Sequence, residues 1–115
     1  MAVTGQDTAV AFRSGDVEVL GTPRVVALAE EASVQAVQSE LAPGTTTVGY
    51  RVQLDHLAPT AIGGEVRAEA VLVSIESRRL TFRVTVSDSR GLVAAGKLTR
   101  MIVDRTRFLE KAGGA

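Results

Sequence analysis

One amphipathic segment constrains the fold of this chain more than any other feature of its sequence. Gly21-Thr22-Pro23 is typical of a helix start, because Thr22 can cap the first turn and Pro23 fits the first helical position. Pro43-Gly44 is typical of a helix stop, so about 19 residues, a rod of roughly 28 Å, lie between the two signals. At about 100° per residue, the polar positions share one stripe: Arg24, Glu31, Gln35 and Gln38. The apolar and small positions lie opposite: Val25, Val26, Ala29, Ala32, Ser33, Ala36 and Val37. We therefore predict one long helix that packs a single face.

The rest of the sequence alternates between apolar and polar residues with a period of two, as half-buried strands do. The pattern predicts strands at 48–56, 65–76, 80–87 and 92–104, and a weaker strand at 8–13. In the first of these, one face is predicted to point inward: Val48, Tyr50, Val52, Leu54 and His56.

Short connections join the later strands, at 76–79 and 88–91, and short connections make antiparallel hairpins. A single helix covers only one face of such a sheet. The arrangement that buries most apolar surface wraps the curled sheet around the helix. The prediction is an α+β fold in which one long helix is wrapped by a curved antiparallel sheet of about five strands.

Composition narrows the class of protein. The 115 residues suffice for one domain, and the termini, 1–7 and 112–115, are small and polar and are expected to fray. Lys plus Arg is 13 and Asp plus Glu is 13, so the zero net charge argues against nucleic-acid and anionic-membrane partners. The absence of Cys excludes thiol chemistry, and one His cannot build a His-rich metal site, so we expect no metal. Neither a membrane-spanning run nor a signal peptide is visible, which favours a cytoplasmic protein.

Glu30 is the first candidate for chemistry. It lies roughly 120° from the centre of the polar stripe, whereas its neighbour Glu31 lies near that centre. A carboxylate turned toward apolar surface must be paired, protonated or used, although a boundary glutamate reaching water is an equally good interpretation.

His56 and Thr22 are the next candidates. His56 is the only histidine and extends an inward strand face, where a hydrogen-bonded structural role is the commoner outcome. Thr22 is adequately explained as a helix cap, yet that position also places its hydroxyl at the positive end of the helix dipole. Gly63-Gly64 is explained either by a turn or by a close backbone approach to a ligand, and Arg78-Arg79 either by a solvated hairpin tip or by contact with a phosphate.

Four runs of sequence together form a family pattern. They are Glu18-Val19-Leu20-Gly21-Thr22, then Val25 to Glu30, then Asp55-His56-Leu57-Ala58-Pro59-Thr60 before Gly63-Gly64, and the hairpin Ser77 to Val84. Over roughly residues 16–106 the chain resembles the fluoroacetyl-CoA thioesterase-like branch of the hotdog-fold thioesterases. The resemblance implies a single hotdog domain over 1–115 with an ordered core at about 8–108. It also implies a homodimer, or a tetramer, whose sheets join edge to edge with an acyl-CoA site at each end of the interface.

The resemblance also assigns roles. The family's catalytic threonine, glutamate and histidine match Thr22, Glu30 and His56, and its glycine near the thioester carbonyl matches Gly63 or Gly64. The implied activity is hydrolysis of a small acyl-CoA, or of an acyl-carrier thioester, with no cofactor beyond the CoA of the substrate. Glu30 is either the nucleophile or the general base.

Departures from the family bear on the substrate. The segment from Arg13 to Gly21 is short and holds no aromatic residue where the family has an aromatic-bearing lid, so fluoroacetyl-CoA itself is not the expected substrate. A non-catalytic acyl-thioester binding protein is the alternative, because a fold alone does not establish chemistry. An acyl-CoA hydratase or dehydratase is disfavoured, because proteins of that class resemble one another in a Gly-Asp-x-Asn-Pro-x-His pattern that is absent here. Asp55 and His56 cannot substitute for it, since neighbours on a strand point to opposite faces.

Overall fold

The computed structural model describes residues 1–114 as one helix packed on one antiparallel sheet, with a short C-terminal helix. The elements are α1 (Thr22–Val37), β1 (Thr45–His56), β2 (Arg67–Glu76), β3 (Arg79–Asp88), β4 (Gly91–Asp104) and α2 (Arg105–Lys111). Short 3-10 turns lie at Gly5–Asp7 and Gln38–Glu40. The strands are ordered β1-β4-β3-β2, so β1 and β2 form the two edges of the sheet. The predicted α+β fold is confirmed, with four strands in place of about five.

Helix α1 begins and ends differently from the prediction. Gly21 is the residue that precedes it, so Thr22 is the first helical residue and does not cap the helix with its side chain. The α-helical turns end at Val37, and a tighter turn follows over Gln38–Glu40. The buried stripe of α1 consists of Val25, Ala29, Ser33 and Val37. Three polar residues, Gln38 to Glu40, follow this stripe before Leu41 and Pro43.

A β-bulge in β1 changes which side chains face the helix. Gly49 is opposite Arg100 and Arg51 is opposite Thr99, so Tyr50 is the extra residue. Cross-strand partners share a face, and Val48 is paired with Met101, on the face away from α1. The prediction that Val48 and Tyr50 point inward from β1, together with His56, is therefore wrong. Tyr50 instead lies 53% exposed, with the Arg79 guanidinium 5.1 Å from its ring centre.

The segment before α1 is not a strand. Thr8 makes a single bridge to Leu20, and residues 9–13 turn tightly, with Arg13 at φ 57°. The N-terminus expected to fray is packed instead: Val3 is 2% exposed, and its backbone exchanges hydrogen bonds with Gly63 and Gly64. At the other end residues 112–114 form a turn, and residue 115 lies outside the described residues.

The core lies between α1 and the inner face of the sheet. Phe82, Val84 and Val86 of β3 are fully buried at its centre. Helix α1 packs mainly against β2 and much less against β1. As a result Val52, which faces inward from β1, is still 38% exposed. The strip between α1 and β1, along which Val26, Val52 and Leu54 lie, is therefore only partly covered, and we call this strip the channel. Within residues 1–114, no helix is long and apolar enough to span a membrane.

Candidate active site

Thr22 and His56 meet at one end of this channel. Thr22 Oγ1 lies 2.7 Å from His56 Nδ1, although the two residues are 34 positions apart. Thr22 stands in the first turn of α1 and His56 at the end of β1, so the helix start is held against the strand end. The hydroxyl predicted to cap the helix is used in this contact instead.

The other ring nitrogen of His56 is without a partner. Nε2 is buried and makes no hydrogen bond within the described residues. Buried polar atoms are nearly always paired in folded proteins, so an unpaired one marks a place for water or a ligand. With the Thr22 hydroxyl on Nδ1, Nε2 is the nitrogen that can exchange a proton with a bound molecule.

Glu30 is held by an arginine on the sheet. Arg100 Nη1 donates to Glu30 Oε2 at 3.1 Å. The Arg100 side chain is 8% exposed and that of Glu30 is 37% exposed. Of the outcomes that its helical position left open, Glu30 is paired, and its other carboxylate oxygen, Oε1, accepts no hydrogen bond within the described residues.

Arg100 is itself fixed by Thr47. Its Nε donates to the Thr47 hydroxyl at 2.9 Å, and its Nη2 donates to the Thr47 carbonyl at 3.0 Å. Because all three guanidinium nitrogens of Arg100 are hydrogen-bonded, this side chain has little conformational freedom. The Glu30 carboxylate that it binds is therefore also held in place. Sequence reasoning missed Arg100 and Thr47. The available signal was a charge at position 100, between Leu98 and Ile102, which share the inward face of β4.

The absence of a side chain at Gly49 leaves room for the Glu30 carboxylate. A Cβ at position 49 would lie 2.6 Å from Glu30 Oε2, inside van der Waals contact. Gly49 stands opposite Arg100 on β1, immediately before the bulge at Tyr50. Sequence reasoning missed this glycine as well, because a lone glycine inside a strand indicates only some close approach.

Gly63 and Gly64 are placed in a turn whose amides are already used. Gly63 N–H donates to the Val3 carbonyl and Gly64 N–H to the Ala61 carbonyl, at 2.8 and 3.0 Å. Gly63 has φ 92°, which fits the turn interpretation of this pair. The glycine that the structure brings to Glu30 is Gly49, and contact of Gly63 or Gly64 with a thioester stays a prediction.

The three predicted catalytic residues lie in two places along one flank of α1: Thr22 contacts His56, and Glu30 contacts Arg100. Thr22 and Glu30 are eight residues apart, roughly 12 Å along the axis of α1. Val26 lies between them, half-buried, on the same flank. One end of the channel therefore offers a hydroxyl and an imidazole, and the other offers a carboxylate. Within residues 1–114 no group of three His, Cys, Asp or Glu side chains could hold a metal.

A second carboxylate fixes the start of α1. Asp7 accepts hydrogen bonds from the Thr4 backbone N–H and hydroxyl and from Arg24 Nε. These donors, the Thr4 N–H most of all, lower the pKa of the Asp7 carboxyl. The Asp7 carbonyl also accepts from Gly21 N–H. The first turn of α1, and with it Thr22, is thereby tied to the N-terminal segment.

Comparison with known proteins gives the family of the chain. The family model described as fluoroacetyl-CoA-specific thioesterase, FlK, matches residues 3–106. The fluoroacetyl-CoA thioesterase of Streptantibioticus cattleyicolor is 34% identical over 94 residues, covering 82% of this chain and 68% of that protein.

Solved structures show the same fold. A variant of the thioesterase FlK in complex with fluoroacetate and CoA superposes with a TM-score of 0.91 at 28% identity, covering 98% of this chain and 93% of that one. A hot-dog-like protein from Thermanaerovibrio acidaminovorans gives 0.88 at 28% identity, covering 98% and 83%. The fold is that of the hotdog thioesterases, and the chain belongs to the fluoroacetyl-CoA-specific thioesterase family.

Proposed function

We propose that this protein hydrolyses a small acyl-CoA, or a related acyl thioester, to a carboxylate and a free thiol. The observation that carries the proposal is the placement of Glu30 and of the Thr22–His56 pair at the two ends of one open channel. The family's named activity supports the same reaction class.

Glu30 is the residue proposed to start the reaction, by one of two routes. As a nucleophile, its carboxylate oxygen bonds to the thioester carbon, the carbon–sulfur bond breaks, and the thiolate leaves a mixed anhydride. Water then hydrolyses the anhydride and restores Glu30. As a general base, Glu30 takes a proton from water, and the resulting hydroxide bonds to the same carbon. The carbon–sulfur bond then breaks, the thiolate leaves, and the proton held by Glu30 is returned to the products. Arg100 fixes the carboxylate oxygen that does not react.

Thr22 and His56 are proposed to handle the proton and the developing charge. His56 Nε2 faces no protein partner and can protonate the leaving thiolate or hold a water. The Thr22 hydroxyl keeps the imidazole in one orientation and stands in the first turn of α1, where developing negative charge is stabilised.

The proposed substrate carries a short acyl group in this channel, and it is not fluoroacetyl-CoA. Val26, Val52 and Leu54 offer an apolar surface between the two polar ends. The segment before Thr22 carries no aromatic side chain after Phe12, so nothing there offers an aromatic contact to a fluorinated acyl group.

We also propose a homodimer formed through the free edge of β1. This strand has 12 residues, hydrogen-bonds only to β4, and lies beside the open channel. Pairing two copies antiparallel would join the two sheets and reduce the exposure of Val52 on the inner face and of Tyr50 on the outer face. The other edge strand, β2, lies farther from Glu30 in the strand order.

Thiol release separates the hydrolase from the non-catalytic alternative. The protein is mixed with a panel of short, branched, aromatic and long acyl-CoAs, and free thiol is followed with time. Turnover concentrated on short acyl groups is expected. A binding protein would instead be stabilised against heat by the same ligands without releasing thiol. That second result would contradict the proposal.

A further inference from the structure

Four cations lie together on the outer face of the sheet, the face turned away from α1. Arg83 of β3 is the direct cross-strand partner of Lys97 on β4. Arg51 of β1 is opposite Thr99, two residues beyond Lys97 on the same face of β4. Arg79 precedes Arg83 by four residues on β3, so it lies on the same face. These four residues are exposed, and we call them the outer cation cluster.

The outer cation cluster is not neutralised by the chain itself. Within residues 1–114 none of its four members forms an ion pair. The chain as a whole has no net charge, so the cluster is a local excess of positive charge. Like charges directly opposite each other on neighbouring strands destabilise a sheet, and Arg83 and Lys97 are such a pair. An anionic partner would remove this repulsion.

Tyr50 holds two of these cations near each other. The bulge in β1 leaves its ring 53% exposed, with the Arg79 guanidinium 5.1 Å and the Arg51 guanidinium 5.7 Å from the ring centre. The two guanidiniums therefore lie within roughly 11 Å of each other. Met101 is opposite Arg79 on the same face. Tyr, Met and Arg are the residue types that are enriched at protein–protein interfaces.

The dimensions of the cluster match one face of an α-helix. From Arg79 to Arg83 it extends roughly 13 Å along β3, and from Arg51 to Arg83 it crosses three strands, roughly 10 Å. A helix with carboxylates at positions i, i+4 and i+8 presents them over roughly 12 Å, and its own diameter is about 10 Å. Carboxylates on such a stripe can accept hydrogen bonds from the guanidinium N–H groups.

The surroundings of the cluster favour a discrete acidic patch over a continuous polyanion. Three carboxylates border it on the same face: Asp55, Glu69 and Glu76. A nucleic acid or an anionic membrane would extend over these carboxylates and be repelled by them. The ring of Tyr50 is engaged by two guanidiniums, so it does not offer a free surface on which bases could stack. A second copy seated face to face would bring two cation clusters together, which like charges oppose.

We propose that the outer cation cluster binds an acidic helix on the surface of a partner protein, with Arg51, Arg79, Arg83 and Lys97 facing its carboxylates. The cluster lies on the face of the sheet opposite to Glu30, so the partner binds without entering the channel. The inference goes beyond the proposed function and does not depend on it.

Two isomeric peptides test the surface. One is an alanine-rich helix with glutamates at positions i, i+4, i+8 and i+12, and the other has the same composition with its glutamates spread around the helix. Fluorescence anisotropy at low salt should give a Kd for the striped helix at least about tenfold below that of its isomer. Arg83→Gln/Lys97→Gln should raise the Kd for the striped helix at least about tenfold, and its thiol release should equal that of the native chain.

The control variant removes the same charge from two exposed loops. Arg13 precedes α1 and Arg90 lies in the β3–β4 turn, so Arg13→Gln/Arg90→Gln leaves the cluster intact. Equal binding of the two peptides, or an equal loss in both double variants, would overturn the proposal. Tighter binding of a twelve-residue oligothymidylate or of phosphatidylserine vesicles would overturn it in favour of a polyanion. Self-association that disappears in Arg83→Gln/Lys97→Gln would assign the surface to a second copy instead.

Discussion

At the scale of single residues, the position of one carboxylate depends on two neighbours from the sheet. Arg100 pulls Glu30 toward β4, and the missing side chain of Gly49 leaves it space to go there. Both act on the Glu30 carboxylate, so each is treated as a positioning residue. Their effects on activity and on stability can be separated.

Gly49→Ala should reduce activity more than stability. The new Cβ would lie 2.6 Å from Glu30 Oε2, which is the far end of a flexible side chain and can move away. We expect a loss of under about 1 kcal/mol in the free energy of unfolding, with kcat reduced at least about tenfold. Thiol release and urea titration measure the two. Gly5→Ala, where a Cβ meets nothing within 4 Å, is the control. Unchanged kcat in Gly49→Ala would contradict the positioning role.

Arg100→Lys should cost stability although the charge is kept. A lysine has no fork and cannot reproduce the bonds to the Thr47 hydroxyl and carbonyl. Two charge-assisted bonds at a buried position are lost, so we expect a decrease of about 2–3 kcal/mol in the free energy of unfolding. Urea unfolding measures it against Arg83→Lys on the exposed outer face. A decrease of under about 0.5 kcal/mol in the free energy of unfolding would show that the hydrogen bonds of the Arg100 guanidinium to Thr47 do not contribute to stability.

At the scale of elements, a carboxylate at the end of one strand hydrogen-bonds to the loop that follows another. The loop after His56 is anchored where the Thr60 hydroxyl donates to Asp88 Oδ2 at the end of β3, at 2.8 Å. This bond, more than the Arg90 backbone N–H that the same carboxyl accepts, lowers the pKa of Asp88. The same loop leads from His56 to the turn that packs on Val3, so its anchoring helps to hold the strand end that carries the imidazole.

The Thr60–Asp88 bond predicts a pH dependence with a defined sign. Because the folded pKa of Asp88 lies below its unfolded value of about 3.9, the bond stabilises the fold above that pH, and the stabilisation is lost as pH falls through the folded pKa. Thr60→Val should therefore be less stable than the native chain at pH 7, with a difference that shrinks below about pH 4. Urea unfolding at pH 7, 5, 4 and 3 measures this difference. A difference that stays constant across this range would show that the Asp88 carboxyl is not involved.

At the scale of the whole molecule, the sequence predicts the helix α1 and the strands much better than it predicts strand irregularities and contacts between distant residues. Alternation and amphipathicity are local, so α1 and all four strands are predicted within a few residues of their observed bounds. The bulge at Tyr50 is not predicted. The alternating pattern of β1 is compatible both with an uninterrupted strand and with one that contains an extra residue.

The candidate site shows the same division between local and distant information. The angular position of Glu30 and the isolation of His56 single them out, and Thr22 is found as a helix start. The contact of Arg100 with Glu30 joins residues 70 positions apart, and no local pattern encodes such a pair. The packed N-terminus is missed for a similar reason, since Val3 is buried by residues far along the chain, such as Val66 and Val86, and hydrogen-bonds to the turn at Gly63 and Gly64.

The proposed dimer gives a prediction on the whole assembly. Sedimentation should give twice the chain mass of 12.1 kDa at micromolar concentration. Hydrogen exchange should be slower in β1 than in β2, because pairing through β1 protects amides that are free in a single copy. Equal exchange in the two edge strands, or a monomer, would contradict pairing through β1.

The central claim is that Glu30 performs the hydrolysis, and one matched pair of variants tests it most directly. Glu30→Gln and Glu31→Gln remove the same charge from adjacent positions of α1, one beside Arg100 and one exposed on the polar stripe. The measurement is kcat for thiol release from the best acyl-CoA of the panel. The account predicts a loss of several orders of magnitude in Glu30→Gln with its fold intact, and a kcat near that of the native chain in Glu31→Gln. A Glu30→Gln protein that keeps its turnover would contradict the account.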